Sequence, residues 1–222
     1  MADQGHVRSF HLDGAAGKLE ALLNVGSPNA EYAAVVAHPH PLYGGTMHNK
    51  VVFHAMKALH SFGFPVLRFN FRGVGTSAGE HDYGRGEIDD VRTALRWMRD
   101  EFHLPIVFAG FSFGSATGLR AACPDRDVEA IISLGTPINA EGRLYTYGLL
   151  EECTKPKLFV SGDQDEFAPA ALLARVVEMA AEPKRFVLVP GGDHFFAGHL
   201  DEMRSAIELW VGETLGVHHT TA

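Results

Sequence analysis

Apolar residues in this chain fall into two alternating patterns: short unbroken runs, and longer stretches with apolar positions three and four apart. The runs predict strands at Val7–Asp13, Leu19–Val25, Tyr32–Ala37, Pro65–Phe71, Ile106–Phe111, Ala130–Leu134, Lys157–Ser161 and Arg185–Pro190. Several of them, such as AAVVA and IVFAG, are apolar on both faces. That suits parallel strands covered by helices on both sides. The periodic stretches predict helices at Asn49–Phe62, Glu87–Phe102, Phe113–Cys123, Pro169–Ala181 and His199–Leu215. In Glu87–Phe102 the stripe is Ile88, Val91, Leu95 and Met98. Strand–helix alternation of this kind predicts a doubly wound α/β sheet, mostly parallel, with helices on both faces. The first two strands lack a helix between them and are expected to form an antiparallel hairpin at one edge.

Ligands of open α/β sheets bind beyond the carboxyl ends of the strands. There this chain places HPHPLYGG, RGVGTSAGEHD, Ser112, GDQDEFAP and GGDHFF. Its polar and glycine-rich segments thus gather at one end of the sheet. At 222 residues the chain is expected to fold as a single domain, residues 1–222, with a short cap-like insertion at 136–156.

Composition narrows the class. A formal net charge of −8 argues against a nucleic-acid partner, since neutralising phosphates needs a basic face. The two cysteines, Cys123 and Cys153, have no CxxC spacing, so both read as small buried hydrophobes and a reducing, cytoplasmic location fits. MADQGHVRSF has no signal-peptide pattern, and no apolar run reaches the ~20 residues of a membrane span.

Gly110-Phe111-Ser112-Phe113-Gly114 joins a predicted strand directly to a predicted helix. This is the nucleophile-elbow pattern, in which a tight turn lifts a serine hydroxyl out of the sheet and the flanking glycines prevent a clash. A serine hydroxyl needs a base. Of 13 histidines, His194 stands out because it follows the last strand in a glycine-rich loop. Asp165, after the preceding strand, is the expected orienting acid, with Asp163 and Glu166 as rivals in the same loop. Asp163 has the alternative use of capping the turn. His199 is expected to start the next helix in solvent.

Together, HPHPLYGGTMHNKVV, RFNFRGVGTSAGE, GFSFG, GDQDE and DHFF resemble the α/β-hydrolase superfamily, in particular small bacterial serine hydrolases without a large cap. The resemblance runs from about Tyr32 to Leu215. It implies the α/β-hydrolase fold, with Ser112 as nucleophile, Asp165 as acid and His194 as base. It also implies an oxyanion hole made by the Phe113 N–H and a donor from the loop after Ala37. Pro39 and Pro41 have no N–H to give. Leu42 is the first choice for that donor and Tyr43 the second. His40, Gly44, Gly45 and Phe195 are expected to line the substrate pocket, and Phe113 to form part of its wall.

Other features invite different readings. Gly73-x-Gly75 and Gly79 suggest a nucleotide loop, but no helix follows at once. A loop beside the site is the simpler reading, with Arg72 pairing with Glu80 or Asp82. His38-x-His40 with Asp165 and His194 would supply a metal-ligand set, and the simpler expectation is no metal and no cofactor. Trp97 and Trp210 read as packing residues. The insertion at 136–156 is expected to carry Tyr145, Tyr147, Leu149 and Leu150 over the site as a thin cover.

The expected activity is hydrolysis of a small-molecule acyl substrate through an acyl-enzyme, with a carboxylesterase as the first reading. A thioesterase, amidase or peptidase would use the same residues, and a non-catalytic binding protein on the same fold is the rival from another class. Whether the protein works as a homodimer is left open.

Overall fold

The structure, a computed structural model, describes residues 7–140 and 142–220. Residues 1–6, most of the stretch that lacks a signal-peptide pattern, and Glu141 of the insertion lie outside the described residues.

The hairpin β1 (Val7–Gly14) and β2 (Gly17–Asn24) opens the chain, followed by β3 (Ala33–Ala37), α1 (Lys50–His60) and β4 (Val66–Phe69). Next come α2 (Gly86–Phe102), β5 (Ile106–Phe111), α3 (Phe113–Ala122) and β6 (Val128–Leu134). A small hairpin, β7 (Asn139–Ala140) and β8 (Arg143–Leu144), precedes β9 (Lys157–Gly162), α4 (Ala170–Met179), β10 (Lys184–Val189) and α5 (Leu200–Leu215). The expected elements are all found, with ends that move by one or two residues, the usual play of fraying termini.

Eight strands form one sheet in the order β1-β2-β4-β3-β5-β6-β9-β10. The first hairpin is antiparallel, and β2 also runs antiparallel to β4. From β4 to β10 every pairing is parallel. The order reverses between β3 and β5, so a crevice opens above their carboxyl ends.

Alternation along the buried strands feeds two separate cores. In β3, Ala33, Val35 and Ala37 face a core shared with Val91, Leu95 and Met98 of α2 and Leu119 of α3. Ala34 and Val36 face the other core, with Val52 and Met56 of α1 and Ile207 and Trp210 of α5. Burying a side chain of the Val or Leu class stabilises by roughly 1.5–3 kcal/mol, so both faces of the central strands are held by burial. Trp210 packs as expected, and Trp97 lies against Phe10 with ring centroids 4.6 Å apart.

Two loops depart from expectation. Arg72 does not pair with Glu80 or Asp82. Its Nε and Nη2 donate to Asp90 of α2 at 3.0 and 2.7 Å, and Nη2 also donates to the Gly86 carbonyl at 2.5 Å. A fork-shaped guanidinium satisfies both carboxylate oxygens in this way. The glycine-rich turn after it is tied to β2, where Ser77 Oγ accepts from the Glu20 N–H and donates to the Asn70 carbonyl. Nor do the tyrosines of the insertion cover the site. Tyr145, Tyr147 and Leu150 are buried in the core beside α3. The Tyr147 hydroxyl donates to the Pro137 carbonyl at 2.6 Å. Apolar rings find more burial against α3 than over an open crevice.

Candidate active site

β5 ends at Phe111, and the chain turns at once into α3 through Ser112, whose backbone sits at φ 54°, ψ −118°. A left-handed φ is uncommon for a non-glycine residue and stores strain. Both flanking glycines are required. A Cβ at Gly110 would lie 2.4 Å from the Gly114 carbonyl oxygen, and one at Gly114 would lie 2.5 Å from the His38 carbonyl oxygen. The turn is anchored by the Ser112 N–H donating to Leu134 of β6 at 2.9 Å.

Ser112 Oγ lies 2.9 Å from His194 Nε2. On its other side, His194 Nδ1 lies 2.8 and 2.9 Å from the two carboxylate oxygens of Asp165. Asp165 follows β9 and is 3% exposed; His194 follows β10 and is 5% exposed. The carboxylate also accepts the N–H groups of Phe167 and Ala168 and the hydroxyl of Ser161. Such an acceptor-only group accepts a hydrogen bond from the Nδ1–H of His194, which leaves Nε2 as an acceptor for the Ser112 hydroxyl. Phe111, Phe167 and Phe195 pack their rings 4.8–5.2 Å from the imidazole and restrict its orientation.

The rival residues have other partners. Asp163 Oδ1 accepts the Gly191 N–H and ties the two loops together. His199 precedes α5, 3.5 Å from Glu202. Glu166 lines the mouth of a cavity above Ser112.

That cavity has a volume of about 400 Å³. His40, Gly44, Gly45 and Phe195 line it, as expected. Asn49 and Phe167 line it too and were not foreseen. Asn49 caps α1, accepting the Val51 N–H, and only the fold brings this helix start to the cavity. Phe113 is not a wall. It is 1% exposed and packs behind the cavity against His40, Phe71 and His81.

The loop after β3 also differs from expectation. Pro41–Tyr43 forms a 3-10 turn capped by His40. Within it the Leu42 N–H donates to His40 Nδ1 at 3.2 Å, and the Tyr43 N–H donates to the His40 carbonyl at 3.2 Å. Both loop donors expected for the oxyanion are therefore engaged inside their own turn. Phe113 N–H stands at the first turn of α3, where amides lack intrahelical partners and the helix dipole is positive.

His38 is fully buried, and its two ring nitrogens meet backbone groups. Nδ1 is 2.6 Å from the Pro39 carbonyl, and Nε2 accepts from the Phe71 N–H. With both nitrogens used, the ring is a structural clip rather than a ligand. Burial pushes its pKa down to about 3. Burial, followed by the nearby His81 and Arg143, pushes His40 down to about 4. Among the described residues no cluster of three or more His, Cys, Asp or Glu side chains is placed to hold a metal ion. Nor is any helix among them long and apolar enough to cross a membrane.

A doubly wound sheet that carries a hydroxyl, an imidazole and a carboxylate on the ends of β5, β10 and β9 defines the α/β-hydrolase class. The family model for the alpha/beta hydrolase domain matches residues 32–210, and the chain belongs to that family. Among solved structures, it is similar to an alpha-beta serine hydrolase homologue from Coxiella burnetii: 38% identity, 91% and 96% of the two chains covered, TM-score 0.83. It is also similar to a serine hydrolase without a lid from Xanthomonas campestris: 32% identity, 97% of each chain covered, TM-score 0.83. An uncharacterized protein of Rickettsia prowazekii is 33% identical over 206 residues, which cover 89% of this chain and 86% of the relative.

Proposed function

We propose that the protein hydrolyses small carboxylic esters through an acyl-enzyme intermediate, with Ser112, His194 and Asp165 as its catalytic triad. One observation carries the reading: the continuous relay from Ser112 Oγ through His194 to Asp165, at 2.9 and 2.8 Å, opening onto the cavity.

Ser112 attacks the ester carbonyl as His194 Nε2 accepts its proton. Asp165 holds the ring in the required tautomer and stabilises the imidazolium. The Phe113 N–H, at the positive end of α3, meets the developing oxyanion. His194 returns the proton to the leaving alcohol. Water then attacks the acyl-enzyme by the same steps in reverse roles.

The size of the cavity supports a small or medium acyl group, since ligand pockets run from about 300 to 1,000 Å³. Phe167, Phe195 and Ala140 give it apolar walls. Glu166 at the mouth disfavours anionic substrates by like-charge repulsion.

The test is a panel of p-nitrophenyl esters and acyl thioesters of graded chain length, with Ser112→Ala as control and a fluorophosphonate probe read by intact mass. Ester turnover lost in the variant, with one probe adduct on the wild type only, is the expected result. An unlabelled wild type with no turnover defeats the proposal.

A further inference from the structure

A second cavity, of about 330 Å³, opens at the far end of α3 from Ser112. Arg120, Leu149, Glu152, Cys123 and Cys153 line it. Cys123 caps the C-terminus of α3, and Cys153 sits shortly after the 3-10 turn Gly148–Glu151. Both thiols are free and lie in hydrogen-bond contact with each other. The ten-residue helix between Ser112 and Cys123 separates the two sites by about 15 Å.

Beside the thiols is an unbalanced cation. Lys157, the first residue of β9, is 1% exposed. Its ammonium donates to the carbonyls of Cys153 and Lys155 at 2.5 and 2.6 Å, and it forms no ion pair among the described residues. A buried charge is expensive unless an opposite charge accompanies it. Burial pulls its pKa down, and the groups that oppose this are Cys153 first, then Cys123, then Glu182. A second ammonium, that of Lys155, is pinned nearby by the carbonyls of Asp125 and Val128. The hydrogen bond with the Cys123 thiol, opposed by burial and aided by Lys157 and Lys155, pulls the Cys153 thiol below its ordinary range. Cys123 is pushed the other way, chiefly by the same hydrogen bond. Of the two sulfurs, that of Cys153 belongs to the residue whose carbonyl holds the buried ammonium.

We propose that Cys123 and Cys153 form a peroxide-reactive dithiol site, in which Cys153, beside the buried Lys157, supplies the attacking sulfur and Cys123 the resolving one. Cys153 attacks hydrogen peroxide. An S–O bond forms, the O–O bond breaks, and hydroxide leaves to take up the proton that Cys153 released. Cys123 sulfur then attacks Cys153 sulfur, the S–S bond forms, and the sulfenic oxygen leaves as water with the Cys123 proton. Two thiols and one peroxide become one disulfide and two waters; the sulfurs together lose two electrons and the peroxide gains them. The bond ties the end of α3 to the segment leading into β9. None of this depends on the ester-hydrolysis reading.

The test uses the full chain with hydrogen peroxide, thiol titration and non-reducing tryptic mapping. The expected result is loss of both thiols, a link between the peptides 121–126 and 144–157, and full recovery with dithiothreitol. In Cys123→Ser, dimedone traps a sulfenic acid at Cys153. In Lys157→Met, the oxidation slows roughly tenfold. Should Lys157→Met fail to fold, the dimedone result decides on its own. The proposal is overturned if both thiols survive peroxide, if Cys123 reacts as fast in Cys153→Ser, or if Cys123→Ser yields no dimedone adduct.

Discussion

The Phe71 backbone N–H donates to His38 Nε2 across 3.0 Å in the buried interior, which fixes the start of the loop after β3 to the end of β4. The bond requires a neutral ring. Because burial holds His38 down to about 3, against about 6.5 in an unfolded chain, the unfolded state takes up this proton first as pH falls. Its contribution to stability is complete above about pH 6.5 and is lost progressively as pH falls towards about 3. His38→Ala should lower stability at pH 7 by about 1–3 kcal/mol, by orphaning the Phe71 N–H, and should make the acid limb shallower. Urea unfolding at a series of pH values measures both. An unchanged acid limb would remove His38 from this role.

Ser112 separates chemistry from strain. Ser112→Ala keeps the left-handed backbone and loses the proposed nucleophile, so the proposed ester turnover should drop on the order of 10⁴-fold or more. Ser112→Gly loses the nucleophile equally but relieves the φ of 54°, and should raise stability by about 1 kcal/mol. Denaturation midpoints of the two variants make the comparison.

Asp165→Asn tests the tautomer. The amide still offers an oxygen to the Phe167 and Ala168 N–H groups, yet turns the His194 ring towards the wrong proton arrangement. We expect kcat to fall about 10⁴-fold with KM little changed. Asp163→Asn, two residues away, should stay within about twofold of wild type because its bond to Gly191 survives. Equal losses in the two variants would mean that the acid has been misassigned.

The Arg72–Asp90 pair should be the most damaging single break outside the site. Asp90 is fully buried and is held in two places by the guanidinium. Asp90→Asn or Arg72→Met should lower stability by about 3–5 kcal/mol, because each leaves a partner buried without its counterpart. The double variant should recover part of that loss in a denaturation cycle.

How much of this was legible beforehand depends on distance along the chain. Strands such as 33–37 and 106–111 are apolar on both faces, and that pattern depends on no distant partner. The elbow at Ser112 and the loops bearing Asp165 and His194 follow strand ends directly, so order along the sequence located them. Arg72 was different: five acids lie within eighteen residues of it, and only the docking of α2 selects Asp90. The amides of Leu42 and Tyr43 depend on a 3-10 turn set by the imidazole of His40, which no spacing rule encodes. Tyr145 and Tyr147 looked like a cover because an amphipathic stretch does not say which apolar surface it will meet. The two cysteines, read singly as core filler, are thirty positions apart, and their meeting is a property of packing alone.

Ser112 and His194 are 82 positions apart, and their side chains meet only after β5, β6, β9 and β10 have paired in the right alignment. A slip of one residue in any of these ladders would turn its side chains to the opposite face. Recovery of the proposed turnover during refolding should therefore be a late signal. It should follow the return of helical circular dichroism and report completion of the whole sheet, so that an activity assay doubles as a clock for the slowest long-range pairing.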